Sequence, residues 1–210
     1  MTCRVFLIRH GETVWNQDAR FQGWADIPLS NNGVQQAEAL GRRLAGQDIA
    51  AFFSSHLSRA RETAAIIARP HNKPVQVVPG LQEINFGDWE GLTFKEIRQK
   101  YSKEFMAWWN NPLQTRIPGG ETLAELVERS ARALKDIVDN HPGQQVAVVA
   151  HGGTIRSIVG MVLGLDLNYY WRLRQDNASL SIIDFHRWDS GVLVLYNDCS
   201  HLSSWQVPPF

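Results

Sequence analysis

The sequence predicts an α/β fold: a three-layer sandwich with a mostly parallel central sheet, helices on both faces and an antiparallel edge strand. Apolar runs rich in β-branched residues alternate with helical patterns along most of the chain, which favours parallel strands joined by helices. These runs are continuous rather than alternating, as in strands that are covered on both faces. Near the C-terminus a polar turn separates two strand patterns, and this arrangement is typical of an antiparallel pair.

The first half of the chain predicts strand, helix, strand, helix and strand in that order. A helix capped by Ser30 carries apolar and small residues at helical spacing until Gly46. A second helix follows the polar turn 54–58 and stops at Pro70, because proline cannot continue a helix. The predicted strands are 5–8, 49–53 and 74–78.

Two later helices begin with the Thr-x-x-Glu capping box, in which each side chain satisfies a free backbone N–H of the other residue. The boxes pair Thr93 with Glu96 and Thr122 with Glu125. The second helix has one apolar stripe and ends at the His-Pro-Gly sequence 141–143. The remaining predicted elements are a strand at 145–150, a helix at about 154–163 and strands at 180–185 and 192–196.

The segment from about 98 to 120 fits none of these patterns well. It is rich in aromatic residues, including Trp108 and Trp109, and its periodicity is weak. We interpret it as a cap-like insertion that walls the site, within a single domain that spans 1–210.

The composition excludes several classes of protein. With 44% hydrophobic and 20% charged residues, the chain is globular rather than disordered. Its 21 Lys and Arg balance its 21 Asp and Glu, which argues against a nucleic-acid-binding surface. The N-terminal apolar run is too short for a membrane span or signal peptide, and Arg9 interrupts it, so we expect a cytoplasmic protein. Cys3 and Cys199 lack a metal-like spacing and are expected as buried free thiols.

Two predicted strands end in a histidine followed by glycine. His10 and Gly11 follow the first strand, and His151 and Gly152 follow the fourth. Ligands bind beyond the carboxyl ends of parallel strands, so adjacent strands would bring both imidazoles into one crevice. A single buried histidine is more often structural, but the repeated pattern favours function. Zinc is disfavoured because no third and fourth ligands occur at a recognisable spacing.

Arginines accompany these histidines at the same predicted edge. Arg9 precedes His10, and Arg59 lies just after the second strand, near a helix N-terminus. A guanidinium group beside the free backbone donors of a first helical turn suits phosphate or carboxylate. The sequence therefore predicts a site for a small anion.

Several short motifs also occur together in a fixed order. They are Arg9-His10-Gly11-Glu12-Thr13, Asn16, Gly23 with Asp26-x-Pro28-Leu29-Ser30, Ser54-Ser55 with Leu57-x-Arg59-Ala60, Glu83 within 81–91, Gly119-Gly120-Glu121 and Ala150-His151-Gly152-Gly153. This ordered set resembles the histidine phosphatase superfamily (phosphoglycerate mutase-like), which contains cofactor-dependent phosphoglycerate mutases and many small-molecule phosphatases. The resemblance extends along most of the chain.

The resemblance implies catalysis through a phosphohistidine, with no metal and no cofactor. The implied catalytic residues are the nucleophile His10, the acid Glu83, and Arg9, Arg59 and His151 around the phosphoryl group. The implied substrate-binding residues are Asn16, Gln22, Gly152 and Thr13.

The chemistry of these side chains agrees with those roles. An imidazole attacks only when neutral, and a hydrogen bond from its other nitrogen to a backbone carbonyl would fix the tautomer of His10. Apolar neighbours such as Ile84 and Phe86 would desolvate the carboxyl of Glu83 and favour the protonated form that a general acid needs. We expect His151 to act as a cation or donor, with its pKa raised beside a bound dianion.

Two reactions share this catalytic core, because a mutase returns the phosphoryl group to its product whereas a phosphatase admits water. The resemblance favours hydrolysis: the chain is short, and after the acid it carries Ile84-Asn85-Phe86-Gly87 rather than the Arg-His-Tyr-Gly type of stretch usual in mutases. Phosphoglycerate mutase activity is the alternative. A non-catalytic phosphoester-binding domain is less favoured, since binding alone would not require Glu83.

The substrate is left open among small phosphorylated metabolites. The stretch 85–91 resembles both broad-specificity phosphatases and α-ribazole phosphatases, and phosphoserine phosphatases are also relatives. An aromatic wall would stack on a ring, whereas extra arginines would favour a carboxylate. The candidates for this wall are Arg20, Phe21, Trp24, Trp108, Trp109 and Arg116. His201 is expected to pack rather than react, and a homodimer through an exposed sheet edge is left open.

Overall fold

A computed structural model of the chain describes residues 1–202, and six strands within them form one sheet. The strands are β1 (Cys3–Arg9), β2 (Ile49–Ser54), β3 (Val75–Val77), β4 (Gln145–Ala150), β5 (Leu180–Phe185) and β6 (Gly191–Asp198). Their order across the sheet is β3-β2-β4-β1-β5-β6. The first four are parallel to one another. At one edge, β5 pairs antiparallel with β1, and β6 pairs antiparallel with β5. The predicted sheet is therefore confirmed.

Seven helices and several short 3₁₀ turns connect the described strands. The helices are α1 (Val14–Gln17), α2 (Asn31–Leu44), α3 (Ser58–Ala68), α4 (Phe94–Lys100), α5 (Ser102–Asn110), α6 (Leu123–Asp139) and α7 (Gly152–Val162). The 3₁₀ turns are Arg69–His71, Pro79–Leu81, Gly87–Trp89 and Leu167–Arg172. Ser30 caps α2, and both predicted capping boxes form at the starts of α4 and α6.

Helices cover both faces of the sheet, and the alternation of side chains along β1 shows how. Val5 and Leu7 enter a core cluster with α6 and α7, whereas Phe6 and Ile8 enter a second cluster with α2 and α3. All four side chains are buried. Burying each such side chain is worth roughly 1.5–3 kcal/mol. Since helices cover both faces of the sheet, apolar residues are favoured at every position of a central strand, and its sequence is a continuous apolar run.

The structure departs from the sequence prediction in three places. The weakly periodic segment contains a short helix, α5, which buries Phe105 and Trp108 in a third core cluster. The last predicted helix begins at Gly152 rather than near residue 154, because His151 is already its N-cap. The four-residue helix α1 is too short to leave a periodic signal.

Two further sequence expectations concern the thiols and the membrane. Cys3 and Cys199 are free and buried, as predicted. Within residues 1–202, every helix falls short of the length and apolar character that a membrane crossing requires.

Candidate active site

The carboxyl ends of β1 and β4 meet at one edge of the sheet, and a histidine follows each. The strands are parallel neighbours with Arg9 opposite Ala150. The backbone N–H of His10 also donates to the carbonyl oxygen of Ala150 at 3.1 Å. This register holds the imidazole centroids of His10 and His151 5.2 Å apart, with their planes tilted by 59°. Both rings therefore share one crevice, as the sequence predicted.

This crevice opens into a cavity of about 230 Å³. Its lining combines four arginines with a single carboxylate, so its charge favours an anion. The lining residues are Arg9, His10, Asn16, Ala19, Arg20, Phe21, Gln22, Gly23, Arg59, Glu83, Phe86, Gly152, Gly153, Arg156 and Tyr170.

His10 is held in one tautomer and one charge state. Its Nδ1 lies 2.7 Å from the carbonyl oxygen of Gly11, which can only accept, so Nδ1 carries the proton. Burial, reinforced by the charges of Arg59 and Arg9, lowers the pKa of His10 well below 6.5. The ring is therefore neutral at pH 7, with its lone pair on Nε2. Gly11 is required because a Cβ there would come within 2.4 Å of the carbonyl oxygen of Gly33.

Two buried guanidinium groups flank this ring. Arg9 donates to the carbonyl oxygen of Gln175, and Arg59 donates to those of Ala25 and Gly23, the latter two at 2.7 Å. Desolvation lowers the pKa of both arginines to about 10, so both remain charged at pH 7. The buried Nε atoms of both have no hydrogen-bond partner within residues 1–202. These two cations are fixed in place before any anion arrives.

His151 is fully buried beside these cations, behind the lined surface of the cavity. Its Nε2 lies 2.7 Å from the hydroxyl oxygen of Ser55, and its buried Nδ1 has no partner among the described residues. Burial, followed by the Arg59 charge, lowers the pKa of His151 well below 6.5. The ring is therefore neutral in this structure. Of the two roles expected for His151, cation or hydrogen-bond donor, the neutral ring fits the donor.

The carboxylate of Glu83 lines the same cavity and is anchored by two backbone N–H groups. Ile84 donates to Oε1 at 2.9 Å, and Gly153 donates to Oε2 at 3.0 Å. Gly153 belongs to the first turn of α7, so the helix that follows His151 also positions Glu83. A Cβ at Gly153 would lie 2.4 Å from Oε1, and only glycine allows this approach.

The four predicted substrate-binding residues do not all reach the cavity. Asn16, Gln22 and Gly152 line it, and the Oε1 of Gln22 is buried without a partner among residues 1–202. Thr13 is fully buried outside the lining and forms a capping box with Asn16 at α1. Its hydroxyl and backbone N–H donate to the Oδ1 of Asn16, and within residues 1–202 the Asn16 amide nitrogen has no hydrogen-bond partner. The structure thus places Thr13 behind Asn16.

Sequence reasoning missed the loop that precedes β5. Asn177 donates through Nδ2 to the Oδ1 of Asn16 at 3.1 Å and to the carbonyl oxygen of His10 at 3.2 Å. Gln175 supplies the carbonyl that holds Arg9. A polar turn before a strand was the only signal in the sequence, and it did not indicate that the loop contacts three site residues.

The outer wall of the cavity combines aromatic rings and arginines. Phe21 and Phe86 meet edge to face at 4.8 Å. Arg156 and Tyr170 also line the cavity, although the sequence did not single them out. The Nε of Arg156 donates to the carbonyl oxygen of Leu173 at 2.7 Å, and its terminal nitrogens have no hydrogen-bond partner among the described residues. Arg20 lines the rim but lies near two carboxylates, at 3.6 and 3.8 Å, which offset its charge.

Residues 98–120 support this wall from behind and do not line the cavity. Trp108 is buried, with ring centroids 6.3 Å from Phe86 and 6.4 Å from Tyr170. Of the six candidates for the wall, Arg20 and Phe21 line the cavity, and the other four do not: Trp24, Trp108, Trp109 and Arg116. Trp108 packs in the third core cluster, Trp109 stacks on Trp171 with ring centroids 4.5 Å apart, and Arg116 pairs with Glu125.

His201 also lies outside the lining of the cavity. Its Nε2 is 3.0 Å from the carbonyl oxygen of Ala178. The ring therefore packs against the loop before β5, in agreement with the sequence expectation.

Two curated relatives carry phosphatase names. Phosphoserine phosphatase 1 of Hydrogenobacter thermophilus is 34% identical over 204 residues, which cover 97% of this chain and 96% of that protein. Adenosylcobalamin/α-ribazole phosphatase of Escherichia coli is 32% identical over 187 residues, which cover 88% of this chain and 91% of that protein. These names favour the phosphatase branch over the mutases.

A solved structure and a family match agree with the site. YhfR of Bacillus stearothermophilus superposes with a TM-score of 0.88 at 34% identity, covering 95% of this chain and 98% of that one. Residues 5–199 match the histidine phosphatase superfamily (branch 1). With its two strand-end histidines together beside buried arginines, and with this match over nearly its whole length, the chain belongs to the histidine phosphatase superfamily.

Proposed function

We propose that this protein is a metal-independent phosphomonoesterase that hydrolyses small phosphate esters through a phosphohistidine on His10. The observation that carries the proposal is the state of that ring, which is buried, neutral and bonded through Nδ1 to the Gly11 carbonyl. Its Nε2 lone pair is therefore free to attack phosphorus. A covalent intermediate divides one difficult displacement into two easier ones.

The two steps balance with Glu83 as the proton carrier. In the first, Nε2 of His10 bonds to phosphorus, the bond from phosphorus to the ester oxygen breaks, and Glu83 gives its proton to the leaving alkoxide. In the second, water attacks phosphorus and gives a proton to the Glu83 carboxylate. The phosphorus–nitrogen bond then breaks, which releases phosphate and returns neutral His10.

Most of the rate enhancement is assigned to fixed charge around the phosphoryl group, since its transfer requires little covalent work from the protein. Arg9 and Arg59 offer their buried Nε atoms, which have no partner in the part of the chain that the structure describes. Asn16, Gln22 and Gly152 contribute neutral donors, and Thr13 acts by orienting Asn16. His151 completes the set. Its ring is a neutral donor before the substrate binds, and the bound dianion then raises the pKa of the imidazole and favours its protonated form.

We further assign the substrate to small esters that carry a carboxylate. A volume of about 230 Å³ lies below the roughly 300–1,000 Å³ of pockets that hold drug-sized ligands. Arg156 provides guanidinium nitrogens beyond the phosphoryl site, and guanidinium pairs well with carboxylate. Phosphoserine and phosphoglycerates meet both conditions, whereas α-ribazole 5′-phosphate is larger and lacks a carboxylate.

The test is a panel assay of phosphate release with a chelator present throughout. The substrates are phosphoserine, 3-phosphoglycerate, α-ribazole 5′-phosphate and 4-nitrophenyl phosphate. We expect the highest kcat/KM for a carboxylate-bearing ester and no loss of rate with chelator. Preference for α-ribazole 5′-phosphate would overturn the substrate class, and dependence on an added divalent ion would overturn the metal-free mechanism.

The same assay separates the alternatives. A mutase would convert 3-phosphoglycerate into 2-phosphoglycerate when primed with the bisphosphate and would release little phosphate. A non-catalytic binding domain would bind phosphate esters and release none. Phosphate release from an ester without isomerisation supports the hydrolase.

We place this activity in the cytoplasm and in a single domain that spans 1–210. The free buried thiols and the family match over 5–199 support this assignment. A homodimer would use the edge strand β6, where Val192 and Val194 are exposed. Sedimentation of the purified protein tests the dimer.

A further inference from the structure

The guanidinium group of Arg129, on α6, uses all five of its N–H donors, three on backbone carbonyls of the segment that carries Glu83 and two on the carboxylate of Glu121. Nε and one Nη2 hydrogen donate to the two carboxylate oxygens of Glu121, each at 2.9 Å. The other Nη2 hydrogen donates to the Glu83 carbonyl oxygen at 2.6 Å. Nη1 donates to the carbonyl oxygens of Gln82 at 2.7 Å and Gly80 at 3.1 Å. A lysine has three donors and no planar fork, so it cannot reproduce this set.

Glu121 extends the same network to the other side of Glu83. Its Oε2 accepts the backbone N–H of Asn85 at 2.9 Å. The side chains of Arg129 and Glu121 are only 23% and 14% exposed, so solvent screens this pair less than the surface pairs of the same helix. Together they fix the backbone before and after Glu83.

The geometry of the peptide unit transmits this restraint to the carboxylate. A trans peptide is planar and points its C=O and N–H in opposite directions. Arg129 and the indole N–H of Trp24 both donate to the carbonyl oxygen of Glu83, at 2.6 and 2.8 Å, and the N–H of the same peptide unit, that of Ile84, donates to the Glu83 Oε1 at 2.9 Å. Rotation of this peptide away from Arg129 would therefore remove a donor from the carboxylate.

We propose that Arg129, braced by Glu121, is a positioning residue that aims the Glu83 carboxylate for proton transfer. The inference rests on the proposed acid role of Glu83. It explains why a partly buried arginine on a helix outside the cavity lining contacts three carbonyls around the acid.

The experiment compares two aryl esters of similar shape, phenyl phosphate and 4-nitrophenyl phosphate. Only the poorer leaving group, phenolate, needs a proton from Glu83, and kcat/KM reports the first chemical step. We expect Arg129→Gln to lower kcat/KM for phenyl phosphate at least about tenfold more than for 4-nitrophenyl phosphate, since a misplaced catalytic group costs up to about 100-fold. In a Glu83→Gln background, the same substitution should leave the ratio unchanged.

Arg132→Gln is the matched control, because Arg132 lies on the same helix and pairs with Glu128 at the surface, with both side chains 71% exposed. Its ratio should equal that of the parent protein. If Arg129→Gln does not fold, Glu121→Gln and Arg129→Lys test the same restraint. Equal losses on both esters in a folded variant, or a further change of the ratio in the Glu83→Gln background, would overturn the inference. If Glu83→Gln alone leaves the ratio unchanged, the acid role fails and the inference fails with it.

Discussion

One methyl group at Gly153 tests the placement of Glu83 directly. In Gly153→Ala the new Cβ would lie 2.4 Å from Oε1, whereas ordinary contact begins at 3.4 Å, so the carboxylate must retreat by about 1 Å. A displacement of that size costs about 100-fold in rate, or about 2.7 kcal/mol at 1.36 kcal/mol per factor of ten. The backbone does not oppose the change, because alanine is favoured over glycine in a helix by roughly 0.5–1 kcal/mol.

The assay measures kcat/KM for phenyl phosphate and 4-nitrophenyl phosphate, together with Tm. We expect a loss of about 100-fold on phenyl phosphate, less than about tenfold on 4-nitrophenyl phosphate, and a Tm close to that of the parent. Gly46→Ala is the matched control, because a Cβ there meets nothing within 4 Å. Unchanged rates on phenyl phosphate in folded Gly153→Ala would refute the placement of the proton carrier.

Three other predictions concern the histidines and Arg59. His10→Ala should retain its far-ultraviolet circular dichroism and lose phosphate release entirely, and substantial residual turnover would contradict covalent catalysis. Arg59→Gln should lower kcat/KM by roughly 10²–10³, as for loss of one preorganised donor, and a loss under tenfold would contradict its role. Burial lowers the pKa of His10 and His151 below 6.5, so below that pH the unfolded chain binds protons that the native chain does not. The free energy of unfolding, measured by urea denaturation, should therefore fall as the pH drops below 6.5. Its dependence on pH should be shallower in His151→Asn, and an equal slope would contradict the buried neutral ring.

The sequence was sufficient for the sheet and for the residues at its edge because those signals are local. A continuous apolar run that ends in His-Gly identifies both a buried strand and the histidine at its carboxyl end, and this pattern occurs twice, at His10 and His151. The parallel register of β1 and β4 then brings the two rings together. Both capping boxes are equally local, since the two partners are only three positions apart.

The residues that support the site could not be predicted in this way. Arg129 contacts carbonyl oxygens 46 to 49 positions away, and Asn177 contacts Asn16 across 161 positions. Backbone carbonyls occur at every residue, so no side-chain pattern indicates which of them an arginine will hold. Arg156 and Tyr170 reach the cavity only through the packing of α7 and the turn Leu167–Arg172.

The charge of His151 shows a second limit. A histidine beside an expected phosphate suggests a cation, yet burial and the neighbouring Arg59 hold the ring neutral. That outcome depends on two guanidinium groups being buried within the same crevice. The order of residues alone contains no information on that desolvation.

The central claim is a covalent bond between His10 and phosphorus, and trapping that bond tests it most directly. The protein is mixed with 4-nitrophenyl phosphate and quenched in alkali within milliseconds, and the peptide that carries His10 is analysed by mass spectrometry. The account predicts a phosphoryl group on His10 that survives base, is lost in acid and is absent from His10→Ala. A phosphoryl group on another residue, or none during steady turnover, would contradict it.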